Sequence, residues 1–313
     1  MGERRRAAAR RRAMRLRRTR RMALAAGALA AVVVAHLFVA QQIASRDADA
    51  PSAQNRSVAH LALPVPLIEQ VEAAPSPCES HSVTEAIADT DPTALIAAFG
   101  GAERLREVVA EGAAPCVPLD DPAWPWAVVN KQRPLEPVDY APEEIVAPPS
   151  RVAGDGLRPE AIEPFERLVA AAEAEGAGRI ASFSAYRSYE TQESTYRAQV
   201  GARGEHAADE ISAHPGFSEH QLGLAVDVVA CDAGGCGTIY EVGETAQGRW
   251  LADNAWRFGW IVRYEPGETE TTGYAPEPWH LRYIGEDLAA VYRDGGFRSL
   301  EEFFGLPAAP DYG

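Results

Sequence analysis

The sequence predicts an α+β fold, and three observations lead to that class. Helical and extended patterns alternate along the chain without a regular strand–helix–strand repeat. The stretch "DGLRPEAIEPFERLVAAAEAEG" places Ile162, Phe165, Leu168 and Val169 on one helical stripe, whereas "LAVDVV" (224–229) reads as a strand. No internal repeat is present to suggest a solenoid or propeller.

The elements follow in order. Residues 1–21 hold eleven arginines against one glutamate, so the rest of the chain carries a net charge of about −25. An acidic body of this kind argues against nucleic-acid binding. The next nineteen residues, Met22–Ala40, carry no charge beyond the possible one on His36. As a helix they span roughly 28 Å, about the hydrocarbon thickness of a bilayer. Arginines before the run and none directly after it predict a cytoplasmic N-terminus and an extracellular body, a single-pass protein of the cell membrane. A cleaved signal peptide is the competing reading, but Phe38 stands where a cleavage site wants a small residue, so an uncleaved anchor is expected.

Residues 41–77, rich in Ala, Pro, Ser and Gln, read as an extracellular spacer. A small helical region is expected over 78–120, as two short helices broken at Gly100–Gly101. Outside the membrane an even cysteine count favours disulfides. Cys78 with Cys116 would staple that region, and Cys231 with Cys236 would form a local clip. The main domain is expected over 121–306, with a short tail at 307–313. Within it, Ala127–Val129 reads as a short strand and "RIASFSAYRS" as a strand ending in polar residues. "RWLADNAWRFGWIVRY" reads as a helix turning into a strand, and "EPWHLRYIG" as a further strand.

Three short stretches hold candidate chemistry. In "SEHQLGLAVD" (218–227), His220 and Asp227 would sit about 10 Å apart along a continuous helix, too far to share one ion. A loop bearing His220, a bend at Gly223 and a strand carrying Asp227 would bring them together. A capping histidine with a strand-end carboxylate remains the plain alternative. In "EPWH", Glu277 and His280 are three apart, so a regular strand would aim them at opposite faces and a kink is needed to converge them. Trp279 is expected to pack away as core filler. In "SAYRSYETQ", Arg187 lies at a strand-to-helix junction, where its guanidinium could face a cleft.

Taken in order, "SAYRSYETQ", "PGFSEHQLGLAVDV", "WRFGWIVRY" and "TTGYAPEPWHLRYIG" resemble the VanY-type D-alanyl-D-alanine carboxypeptidases of zinc peptidase family M15. The resemblance runs from roughly Trp126 to Gly305 and implies a fold shared with the Hedgehog signalling domain. It implies His220, Asp227 and His280 as ligands of one zinc ion per chain, Glu277 as catalytic base and Arg187 as the residue stabilising the polarised carbonyl. Ser218 and Gln192 match positions near the substrate's terminal carboxylate, whereas His206 and His214 match no ligand position. The implied substrate is the end of a peptidoglycan stem peptide. Two other activities stay open: an L,D-carboxypeptidase acting on tetrapeptide stems, and a non-catalytic zinc module that binds wall peptide. The prolines on both sides of Glu277 depart from the family pattern, and no G-x-S-x-G or S-x-x-K nucleophile motif is present.

The anchor expectation is checked by fractionation. Full-length protein should stay in the membrane, with residues beyond about 45 open to external protease. Release of a mature chain beginning near Gln41 would instead identify a signal peptide.

Overall fold

The computed structural model describes residues 76–313. The basic leader, the apolar run and nearly all of the spacer lie outside the described residues. Among the described residues no helix is long and apolar enough to cross a membrane.

Three short helices come first: α1 (His81–Ala88), α2 (Pro92–Ala98) and α3 (Ala102–Ala110). The sequence reading expected two, broken only at Gly100–Gly101. The extra break lies at "DTDP", where Pro92 opens α2 and the Asp91 carboxylate accepts from the Ala94 N–H at 2.9 Å. Proline at a helix start and aspartate just before it are both favoured there, so the chain restarts rather than continues. Cys78 and Cys116 are disulfide-bonded around the three helices.

Next come α4 (Pro159–Ala174), β1 (Arg179–Ser184) and α5 (Tyr189–Arg203). After them lie β2 (Ala225–Asp232), the two-residue β3 (Gly235–Cys236), α6 (Ala246–Asn254) and β4 (Trp260–Tyr264). The chain closes with β5 (Glu277–Tyr283), α7 (Glu286–Asp294) and α8 (Leu300–Phe303). The sheet is antiparallel in the order β1-β2-β5-β4, and β3 folds back on β2, where Cys231 is bonded to Cys236.

Ala127–Val129 forms no strand, although all three residues are buried. Its backbone is satisfied elsewhere: the Val128 N–H donates to Leu119 O, and the Ala127 carbonyl accepts from Arg282 at 2.8 Å. A buried segment needs hydrogen-bond partners, but not a neighbouring strand.

Two cores flank the sheet. Phe165, Leu168 and Ala172 of α4 pack against Leu224, Val226 and Val228 beside β2, together with Trp260. The apolar faces of α1–α3 pack with Trp124 and Trp126 against Leu288 and Tyr292 of α7 and Phe303 of α8. The helical region thus shares a core with the last two helices of the chain.

Two irregularities in the ladders shape the centre of the sheet. Ser182 pairs with Val228 and Ser184 with Asp227, so β1 carries one extra residue at Phe183. Val262 pairs with Leu281 and Tyr264 with Glu277, so β5 carries two extra residues between Glu277 and Leu281. Bulges of this kind re-aim side chains. Here they supply the kink that "EPWH" needs if Glu277 and His280 are to face one side.

Gly223 makes the bend between His220 and β2, with φ +71°. A Cβ there would lie 2.9 Å from Ile145 Cδ1 and 3.1 Å from Arg158 Cγ. A side chain in the left-handed region costs about 1–2 kcal/mol before any clash is counted. Gly223→Ala is therefore expected to lower unfolding stability by at least that amount, measured by urea denaturation. An unchanged midpoint would show that the bend tolerates a side chain.

Candidate metal centre

The donors meet because the strand register places them side by side. Asp227 of β2 lies directly opposite His280 of β5, and on its other flank it pairs with Ser184 of β1. His220 reaches the same point from a single helical turn, Glu219–Leu222, that Gly223 terminates. One nitrogen of His220, one of His280 and one Asp227 oxygen all lie within 4.8 Å of one another.

Hydrogen bonds decide which atoms face inward. His220 Nδ1 donates to the Ala185 carbonyl at 2.7 Å, which leaves Nε2 free and 3.3 Å from Asp227 Oδ2. His280 Nε2 donates to Glu219 Oε2 at 3.1 Å, which turns Nδ1 toward Asp227 Oδ1 at 3.2 Å. Both acceptors lack a proton to give, so His220 Nδ1 and His280 Nε2 each carry one. Despite that proximity, Asp227 Oδ1 is buried with no hydrogen-bond partner. Donors around a tetrahedral zinc ion with bonds of ~2.0–2.2 Å lie ~3.3 Å apart, close to the spacing between each ring nitrogen and its facing Asp227 oxygen. Two imidazole nitrogens and a carboxylate converging without hydrogen bonds among them fit such an ion.

The charge balance of the site favours a cation. Asp227 is buried, yet the His220 and His280 rings hold its carboxyl well below the ordinary range. Burial also works against a cation on His280, but the facing Asp227 and Glu219 carboxylates outweigh it and raise the pKa to about 9, so a metal binding at Nδ1 would displace a proton there. Burial pushes Glu277 up to about 8, with His280 opposing and Asp227 adding to the shift. A divalent cation among the three donors would draw Glu277 back down.

Glu277 Oε2 is 3.8 Å from His280 Nδ1. Arg187 stands on the other side, with one guanidinium nitrogen 3.8 Å from Asp227 Oδ2. That nitrogen donates to Ser184 Oγ at 3.0 Å, and the second terminal nitrogen donates to Gln192 Oε1 at 2.8 Å. The Arg187 backbone N–H also donates to the His220 carbonyl, which ties the two loops together. Arg187, Ser218 and Glu277 line a cleft of about 250 Å³ with the donors at its floor. A larger cavity of about 1090 Å³, between Trp126, Arg158 and Tyr283, contains none of these groups.

Two expectations need correcting. Gln192 does not reach the cleft: it is fully buried, and its amide is saturated by Arg187, Ser212 and the Ala213 carbonyl. It braces Arg187 from behind. Trp279 is more than core filler, because it lines the cleft and meets the exposed ring of Tyr240 edge-on. Neither His206 nor His214 joins the site. His206 is exposed, and His214 is stacked on Tyr312 with its ring bonded to Tyr196 and Asp209.

The sequence reading missed Glu219. Its carboxylate is fully buried and accepts from Arg263 and Arg282, each at 2.9 Å, as well as from His280. Arg263 also forks onto Glu301 at 2.7 and 3.0 Å. The available signal was the pair of arginines inside apolar strands, "WIVRY" and "HLRY", since a buried guanidinium requires a buried acid.

With this geometry in view, similarity to known proteins is specific. The family profile described as VanY, D-alanyl-D-alanine carboxypeptidase, matches residues 154–286. A putative carboxypeptidase of Bacillus subtilis, YodJ, is 39% identical over 57% of this chain, which spans 66% of that protein's length. A D-alanyl-D-alanine carboxypeptidase of Enterococcus faecalis is 38% identical over 59% of this chain and 67% of its own. The solved structure of the LdcB LD-carboxypeptidase aligns with a TM-score of 0.53 and 38% identity, covering 57% of this chain and 85% of that one. By sequence and by fold, the chain belongs to the VanY-type carboxypeptidases of the M15 peptidase family.

Proposed function

We propose that this chain is a zinc D-alanyl-D-alanine carboxypeptidase that removes the terminal D-alanine from peptidoglycan stem peptides. The observation that carries this reading is the convergence of Glu277 and Arg187 on one donor set, His220, Asp227 and His280. A binding module has use for the donors but not for a carboxylate poised as a base. Zinc held by the three donors would supply Lewis-acid polarisation and a water acidic enough to lose its proton near neutral pH. Glu277 accepts the proton of the attacking water and returns it to the leaving amine. Arg187, braced by Ser184 and Gln192, donates to the scissile carbonyl oxygen as it gains charge. Ser218, on the cleft wall, offers its hydroxyl to the substrate's terminal carboxylate.

A second reading has a specific observation behind it. The LdcB neighbour is named an LD-carboxypeptidase, so hydrolysis of the L,D bond of a tetrapeptide stem stands beside the D,D activity. The remaining part of the proposal concerns location: Met22–Ala40 would hold the catalytic domain on the outer face of the membrane, next to its substrate.

Defined tri-, tetra- and pentapeptide stems given to purified protein test the substrate. Release of D-alanine from the pentapeptide alone identifies the D,D activity, and release from the tetrapeptide alone identifies the L,D activity. No release from any stem by zinc-loaded protein would favour a binding module.

Glu277→Gln keeps the side chain's size and removes its basicity. Zinc content should persist while D-alanine release falls by about 10²–10⁴-fold. Near-normal release with zinc bound would remove Glu277 as the base. Replacing His220 or His280 with alanine should sharply reduce zinc content, whereas His206→Ala should leave it intact. Full zinc occupancy in the His280→Ala protein would overturn the ligand set.

A further inference from the structure

Glu219 immediately precedes one proposed ligand in sequence and touches another in space. Its side chain is fully shielded from solvent, and its two oxygens are used differently. Oε1 accepts from Arg263 Nε and Arg282 Nη1, each at 2.9 Å. Oε2 accepts from His280 Nε2 at 3.1 Å. Both arginines are themselves anchored. Arg263 forks onto Glu301 in α8, and Arg282 donates to the carbonyls of Pro125 and Ala127 at 2.9 and 2.8 Å. Asn130 closes the far end by donating to Glu301 Oε1 at 2.8 Å.

We propose that Glu219 is a positioning residue for the metal, locking the His280 ring with its proton on Nε2 and its Nδ1 lone pair turned to the ion. This rests on the zinc reading above and adds a residue that acts through a ligand. A carboxylate behind a metal-bound imidazole orients the ring, sets its tautomer and raises its basicity. The two arginines fix that carboxylate in place by both donating to Oε1. The arginines therefore serve the metal although neither touches it. Because both arginines take Oε1, Oε2 is left for His280.

Glu301 provides a matched control. Like Glu219 it is fully buried and bonded to Arg263, but its hydrogen bonds go to Arg263 and Asn130 and none to His280. Glu219→Gln and Glu301→Gln each remove one buried negative charge from the same guanidinium. Zinc affinity, measured by competition with a chelator, should fall about 10–100-fold in Glu219→Gln and by clearly less in Glu301→Gln, which leaves the Glu219–His280 bond and the Arg282 anchor in place. Equal losses in the two variants would reduce Glu219 to a structural charge and overturn the proposal. So would full affinity in Glu219→Gln.

If Glu219→Gln does not fold, nitrogen-15 spectra of the unaltered, cadmium-loaded protein decide. A proton on His280 Nε2, shifted downfield by a carboxylate, with cadmium coupling at Nδ1 supports the proposal. Coupling at Nε2, or an Nε2 proton without that shift, overturns it. Unaltered protein that takes up neither zinc nor cadmium would remove the metal reading itself, an outcome separate from a variant that binds zinc as well as its parent.

Discussion

The structure is organised around two buried carboxylates that cannot be left alone. Asp227 and Glu219 lie on either side of the His280 ring, and both side chains are almost wholly removed from water. Taking a carboxylate out of water costs several kcal/mol unless cations and hydrogen bonds surround it. For Glu219 the compensation comes from Arg263 and Arg282. For Asp227 it comes from imidazoles, which are weaker and titratable. That asymmetry separates a closed structural charge from an open functional one. Glu219 has its acceptors filled by protein, whereas Asp227 turns one oxygen to each histidine ring and keeps Oδ1 without a hydrogen bond.

Holding Asp227 in that condition shapes the surrounding sheet. A central antiparallel strand normally alternates its side chains between two faces. In β2 one face, Val226 and Val228, seals the core against α4, and the other carries Asp227. The neighbours must then bring polar groups to the Asp227 face alone. β1 does so through the extra residue beside Ser184, and β5 through the longer bulge between Glu277 and His280. Regular ladders on both sides would have pointed Glu277 away from the donors. The irregular backbone is therefore part of the site, in the same sense as the side chains.

This division explains what was legible in the sequence. His220, Gly223 and Asp227 could be read together because a loop, a left-handed glycine and a strand form a local unit with local spacing. The pair Glu277 and His280 could be read as needing a kink, although the two extra residues that supply it appear only when β5 is laid against β4. Glu219 was hidden by distance along the chain, since its partners Arg263, His280 and Arg282 lie 44 to 63 residues away. Gln192 was misread for a related reason: helix periodicity does not say that this one position of α5 turns fully inward, behind Arg187. At "DTDP" the capping chemistry of Asp91 and Pro92 overrides an apolar spacing that would continue the helix.

The helical region at the start of the described chain contributes no donor, yet it is connected to the site by packing. Its apolar faces cover α7 and α8, and α8 carries Glu301. Glu301 holds Arg263, which holds Glu219 against His280. The link depends on α8 staying buried, because an exposed Glu301–Arg263 pair would be solvated and worth little. Burial of Phe303 and Phe304 beneath α1–α3 keeps that pair dry. The disulfide between Cys78 and Cys116 closes the region that forms this cover. A segment that contributes no donor therefore keeps the charges behind the candidate metal centre out of water.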